Sequence, residues 1–198
     1  MELTLISSFY SLEPFMPAIR NYPASKIILV IDAKKGDPEL KKNLDLVDGT
    51  FGKIAKIKTV FVDSANVLGT VRTVAELIDK ETAEGKKVVM NASGGFKLLG
   101  HAMLYASFAR ASKIDKIVCS AMKDARLVEL PKLSFGLSDA KLGLLKKLEK
   151  RNGRSVDEMA EALGKSRAMI YQHLKELKEE GYVDKEFNIT ETGRMALL

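Results

Sequence analysis

Cysteine and histidine are nearly absent: Cys119, His101 and His173 are the whole supply in 198 residues. A single cysteine excludes a disulfide framework, and so few nitrogen and sulfur ligands cannot assemble a conventional zinc site within one chain. Tryptophan is missing, and no apolar run approaches the roughly 18 to 20 residues that a membrane helix needs. The opening MELTLISSFYSLEP lacks the basic start and small-residue cleavage site of a signal peptide. The expectation is a cytoplasmic protein with no metal, no cofactor and no membrane association. What is present suffices for folding: 46% of residues are hydrophobic and 29% charged, outside the range of disordered chains, and the length suits two modest domains.

The net charge is +6, unevenly placed. Up to Leu137 there are 20 Lys and Arg against 15 Asp and Glu; from Ser138 onward there are 12 against 11. The excess lies in the first part, so overall basicity says little about a nucleic-acid partner.

The first part alternates short β-branched runs (ELTLISS, KIILVID, KIKTVFV, KKVVMNA, DKIVCSA) with helical patterns. The near-continuous apolar runs read as strands buried on both faces. Between them, Val71, Val74, Leu77 and Ile78 fall at helical spacing up to Gly85, and FKLLGHAMLYASFARAS is a second, mostly apolar helix. This alternation predicts an α/β, Rossmann-like, mostly parallel sheet with helices on both faces. Pro131 and Gly136 then break regular structure, which places a boundary near Leu133, with one domain over 1–132 and another over 133–198.

The second part is punctuated by helix starts. Ser138, Ser155 and Ser166 can each cap a helix, with Glu158 completing a capping box after Ser155. Gly164 fits the tight turn of a helix-turn-helix, and YVDKEFNITETGRMALL offers two strand-like runs around a turn, then a helical turn after Thr190. An α+β winged helix-turn-helix is the expected fold. In its third helix Ile170, Leu174 and Leu177 form a core stripe, while Ser166, Arg167, Ala168, Tyr171, Gln172 and Lys175 are candidates to meet double-stranded DNA. Arginine can hold guanine and glutamine can hold adenine through paired hydrogen bonds. From Lys165 to Lys175 there are three basic residues and no acid; Glu176, Glu179 and Glu180 follow at once. SRAMIYQHLKELKEEGYV and NITETGR resemble the recognition helix and wing of winged-helix regulators of bacteria and archaea.

In the first part, two loops at carboxyl ends of strands stand out: SSFYSLEPF and NASGGFK. Gly94 and Gly95 permit close backbone approach, a helix start supplies free N–H groups and Lys97 adds charge, which together suit phosphate. The same residues also permit a plainer role, with Ser93 capping the helix and the glycines making a tight turn. Neither G-x-G-x-x-G after the first strand nor a P-loop motif occurs, which disfavours ordinary NAD binding and P-loop ATP hydrolysis. Phe9 and Tyr10 could stack on a base or pack on the sheet. His101 reads as a packing residue on its apolar helix, Cys119 as a small buried side chain, and Lys34, Lys35, Lys41 and Lys42 as a solvated face.

From the first loop through MNASGGFKLLGHAMLYASFA to the C-terminal winged helix, the chain resembles the CRISPR-associated Rossmann-fold (CARF) family, and within it archaeal CRISPR-associated transcriptional regulators. The resemblance implies a homodimer that binds a cyclic oligoadenylate across its two-fold axis. Carried onto this sequence, the ligand site is Ser7, Ser8, Phe9, Asn91, Ala92, Ser93, Gly94, Gly95, Phe96 and Lys97. The symmetry of a two-fold ring on a two-fold dimer favours cyclic tetra-adenylate. Lys97 could stabilise charge and Ser7, Ser8 or Ser93 could orient a ribose, but no histidine is placed as general acid or base, so the expectation is a non-enzymatic regulator with no catalytic residues. A ring nuclease using the same pocket, and a regulator sensing another nucleotide or anion, are the alternatives.

Overall fold

A computed structural model describes residues 2–32, 36–121, 126–132, 137–150 and 155–198. The chain divides into two compact units, 1–134 and 135–198. The expected boundary at Leu133, Gly136, and Lys34 and Lys35 of the expected solvated face all lie outside the described residues.

In the first unit the expected strands form as β1 (Leu3–Ser8), β2 (Lys26–Ile31), β3 (Lys56–Phe61), β4 (Lys87–Asn91) and β5 (Lys116–Ala121). They belong to a six-stranded sheet of order β3-β2-β1-β4-β5-β6, all parallel except β6 (Arg126–Leu130), which runs antiparallel to β5. The sequence predicts only irregular structure around Pro131. Pro131 ends β6 rather than preventing it, since a proline just past the last residue removes no donor from the ladder. Burial on both faces holds for β1, β2 and β4, only at Ile117 and Val118 in β5, and not for β3, whose Lys56, Lys58 and Phe61 are exposed. β3 is an edge strand, and its lysines discourage pairing with another sheet.

Helices cover both faces. On one, Leu5, Ile27, Leu29, Ile31, Val89 and Val118 pack with α1 (Met16–Asn21) and α2 (Pro38–Phe51), two helices the apolar periodicity had not revealed. Strand alternation turns Ile6, Ile28, Val30 and Met90 the other way. There lie α3 (Val67–Ala83), with Val71, Val74, Leu77 and Ile78 all buried as expected, and α4 (Lys97–Ala109), packed against α3. Glu81 in the last turn of α3 is 1% exposed and anchors this layer. It accepts from Thr4 Oγ1 at 2.9 Å and pairs with Lys26 and, at 3.4 Å, Lys86. Burial pushes its carboxyl up, but the bonds from Lys26 and Thr4 and the two lysine charges outweigh that and hold it below the usual carboxylate range.

The second unit contains α5 (Asp139–Glu149), α6 (Val156–Leu163), α7 (Arg167–Glu179) and α8 (Glu191–Ala196). The first three open on their expected caps, Ser138, Ser155 and Ser166, which accept from the backbone N–H of Lys141, Glu158 and Met169; α8 opens on Thr190, which accepts from that of Gly193. Gly164 ends α6 in the left-handed region, φ +60, where a side chain would be strained. The core joins Leu144, Leu145, Met159, Ile170, Leu174, Leu177, Val183 and Ile189. The wing is shorter than expected: among the described residues it has one antiparallel bridge, Val183 to Ile189, not two strands. Only the short stretch between α7, which ends at Glu179, and α8, which starts at Glu191, is available to it. Asp184 closes the turn: its carboxylate accepts from the N–H groups of Glu186 and Asn188 and from Asn188 Nδ2.

Candidate functional site

β1 is flanked by β2 and β4, so the loops after β1 and β4 meet where the strand order reverses, the place at which open α/β sheets bind ligands. Ser7 lies level with Asn91 across the ladder. Beneath the loops a polar network joins them: Asn91 Nδ2 donates to Ser7 Oγ at 2.9 Å, Ser7 Oγ to the Ser8 carbonyl, and the Gly94 N–H to Ser8 Oγ at 3.0 Å. Ser93 donates to Asn91 Oδ1 and accepts from the Ser120 N–H, tying in β5. Its hydroxyl therefore fixes the loop. It does not cap α4, whose N-cap is Phe96 and whose first turn has no side-chain cap.

The glycines have separate reasons. A Cβ on Gly94 would lie 2.5 Å from the Ser8 carbonyl oxygen, a backbone atom, so the close approach of the two loops requires its absence. Gly95 has φ +72. The expected ligand residues thus fall into two sets. Ser7, Ser8 and Asn91 are fully buried and serve the loop's architecture, and Gly94 is buried with them. Ala92 and Ser93 are half-buried, while Gly95, Phe96 and Lys97 are exposed. Phe9 is a correction: its ring is 1% exposed and meets Phe15 edge-on at 5.6 Å, so it belongs to the core and cannot stack on a base. Tyr10 is half-buried, with its ring against that of the exposed Phe96 at 6.0 Å.

Two further expectations change on α4 and β5. His101 is exposed and not packed, because the buried side of α4 is supplied by Leu99, Ala102, Met103 and Ala106. Cys119 is half-buried, its Sγ 3.9 Å from the Ala92 carbonyl. Among the described residues no group of three or more His, Cys, Asp or Glu could hold a metal, and no helix is long and apolar enough to cross a membrane.

In the second unit, Ile170, Leu174 and Leu177 are buried as expected, which leaves Arg167, Ala168, Tyr171, Gln172 and Lys175 exposed on α7, with Ser166 exposed at its cap. Several of these have partners. Arg167 pairs with Asp157 of α6, Gln172 Nε2 donates to Glu176 Oε1 at 2.7 Å, and Lys175 lies 3.9 Å from Glu179. Lys141 of α5 holds Glu176 at 3.2 Å and Glu180 at 2.8 Å, which fixes the carboxyl end of α7 to the first helix. The bond from Gln172, then that from Lys141, keeps the Glu176 carboxyl low. Sequence reasoning missed Met169, exposed beside this face, and Phe187, held at φ +61 in the wing turn with the Lys178 ammonium 5.5 Å from its ring centre. Nothing in the hydrophobic pattern marks a bulky residue at positive φ.

Residues 138–185 match the family described as bacterial regulatory protein, arsR family. The fold is also that of several solved proteins of low sequence identity. Can2 from Sulfobacillus thermosulfidooxidans, solved with cyclic tetra-adenylate, is 18% identical with a TM-score of 0.51, over 72% of this chain and 38% of that one. Csm6 from Enterococcus italicus, bound to cyclic hexa-2'-fluoro-hexa-dAMP, is 7% identical with a TM-score of 0.53, over 92% and 55%. Protein VC1899 from Vibrio cholerae is 13% identical with a TM-score of 0.52, over 98% and 56%. The chain shares its fold with these solved proteins and carries an arsR-type helix-turn-helix over residues 138–185. It spans about half the length or less of these solved proteins, and no curated protein matches it.

Proposed function

We propose that the protein is a transcription regulator that binds promoter DNA through α7 and senses a cyclic oligoadenylate at the loops after β1 and β4, in a pocket completed by a second copy. The observation that carries this reading is the glycine loop at the sheet's reversal point. It runs into an uncapped α4 beside Lys97, which has no ion pair among the described residues, on a chain that also holds a helix-turn-helix. Free N–H groups and an unpaired ammonium are an anion site. That two proteins of this fold were solved with cyclic adenylates supports the choice of anion. Cyclic tetra-adenylate is the favoured ring, on the symmetry argument.

The second copy is supported by the outer side of α4, where Leu98 and Tyr105, seven residues apart and so on one side of the helix, are both exposed. One small loop also offers too few groups to enclose a ring of nucleotides. On the DNA side, the acid-free stretch from Lys165 to Lys175 suits phosphates and base edges, with Arg167, Tyr171, Gln172 and Lys175 as the reading face and Ser166 and Ala168 at its start. The domains divide accordingly, with the sensor over 1–132 and the DNA-binding domain over 133–198.

Burial of Ser7 and Ser8 favours a sensor over a ring nuclease, since neither hydroxyl can reach a ribose and Ser93 is engaged by Asn91 and Ser120. Calorimetric titration with cyclic tetra-adenylate tests the reading: one ring per two chains is expected, recovered intact by chromatography. One ring per chain would contradict the shared pocket, and conversion to linear product would make the protein a nuclease.

A further inference from the structure

Phe96 is 57% exposed at the very start of α4, an apolar ring left in water directly beside the glycine turn and Lys97. One of its sides is braced. The Tyr10 ring meets it at 6.0 Å and 45°, and Tyr10 is itself held at both ends. Asn43 Nδ2 donates to the Tyr10 carbonyl at 3.0 Å, and the Tyr10 hydroxyl lies 3.3 Å from carboxylate oxygens of both Asp37 and Glu39, to which it can donate. Burial, then the two carboxylate charges, raises the phenol pKa, so the hydroxyl keeps its proton as donor. A ring fixed on one side and open on the other is a stacking platform.

We infer that Phe96, positioned by Tyr10, is the surface on which one adenine of the bound nucleotide stacks while its phosphate lies toward Lys97. This rests on the ligand reading above and assigns the base contact within it. Tyr10 acts through Phe96 as a positioning residue. Base stacking on an aromatic face depends on the π surface and not on apolar bulk alone, so Phe96→Leu separates the two.

The experiment uses the full chain with cyclic tetra-adenylate, measuring affinity by calorimetry and the adenine H2 and H8 resonances by NMR at saturation. Wild type should move these resonances upfield. Phe96→Leu should bind about tenfold more weakly, equivalent to about 1.4 kcal/mol, and lose the upfield shift. Tyr10→Ala should reduce the shift, and Lys97→Ala should weaken binding yet keep the shift. If wild type binds and Lys97→Ala weakens it, but Phe96→Leu changes neither affinity nor resonances, the platform is wrong and the ligand reading stands. The platform is equally overturned if Phe96→Leu leaves binding intact and only turns dimer into monomer. No binding by wild type removes both.

Discussion

The loop site of the first unit and the α7 face of the second are built in opposite ways. At the loops, half of the expected residues are buried: Ser7, Ser8 and Asn91 have no exposed surface and hold backbone in place, and Gly94 matters for what it lacks. On α7 the geometry comes from a buried stripe and the Ser166 cap, and every candidate contact is an exposed side chain. A substitution at the buried loop positions therefore acts through folding and shape. At the exposed α7 positions it acts by deleting a contact and leaves the fold alone.

The sharpest way to break this contrast is to attack α7 from beneath. Leu177→Ala removes a fully buried side chain and should destabilise the second unit by about 2 to 5 kcal/mol, abolishing DNA binding at physiological temperature, as read by thermal unfolding and gel shift. Gly94→Val should cost about 1 to 3 kcal/mol in the first unit, because the Ser8 carbonyl oxygen cannot withdraw from the added Cβ, and should eliminate nucleotide binding. Arg167→Ala should weaken specific DNA binding by about 1 to 3 kcal/mol with melting temperature essentially unchanged, since its pair with Asp157 is solvent-exposed. A matching loss of stability would show that the α7 face is not a separable surface.

Acid offers a smaller test within the first unit. The Glu81 carboxyl is held below its usual range in the folded state, so its contribution is present above the unfolded value and is lost as pH falls through the folded one. Acid titration should therefore loosen the first unit, and Glu81→Gln should flatten that acid limb while lowering stability at neutral pH. An unchanged acid limb would show that the cluster of Glu81, Lys26, Lys86 and Thr4 does not anchor the α3 layer.

How far the sequence carried differs between the units for a physical reason. The caps of α5, α6 and α7 were legible because an N-cap is a local device: Ser138, Ser155 and Ser166 bond three residues ahead whatever the rest of the chain does. Five strands were legible from β-branched runs, but the exposure of β3 depends on its place at the sheet edge, which no run of residues reveals. α2 did carry a signal, Asp37 as cap with Pro38 in its first turn, and was obscured by its mostly polar sequence. At the site, the glycine loop was legible as a motif. The burial of Phe9 was not, because it follows from α1 and Phe15 folding over the end of β1. The exposure of His101 was hidden for the converse reason: in a mostly apolar helix, periodicity does not say which side faces out.

The proposed regulator requires that the two unlike sites be coupled, so that a nucleotide at the loops changes how α7 meets DNA. Promoter affinity measured with and without saturating cyclic tetra-adenylate tests it most directly, paired with ring affinity measured with and without promoter DNA. The account predicts a change of about fivefold or more in promoter affinity, with ring affinity changing by the same factor, as linkage requires. Promoter affinity unmoved by a ring shown to be bound would contradict it.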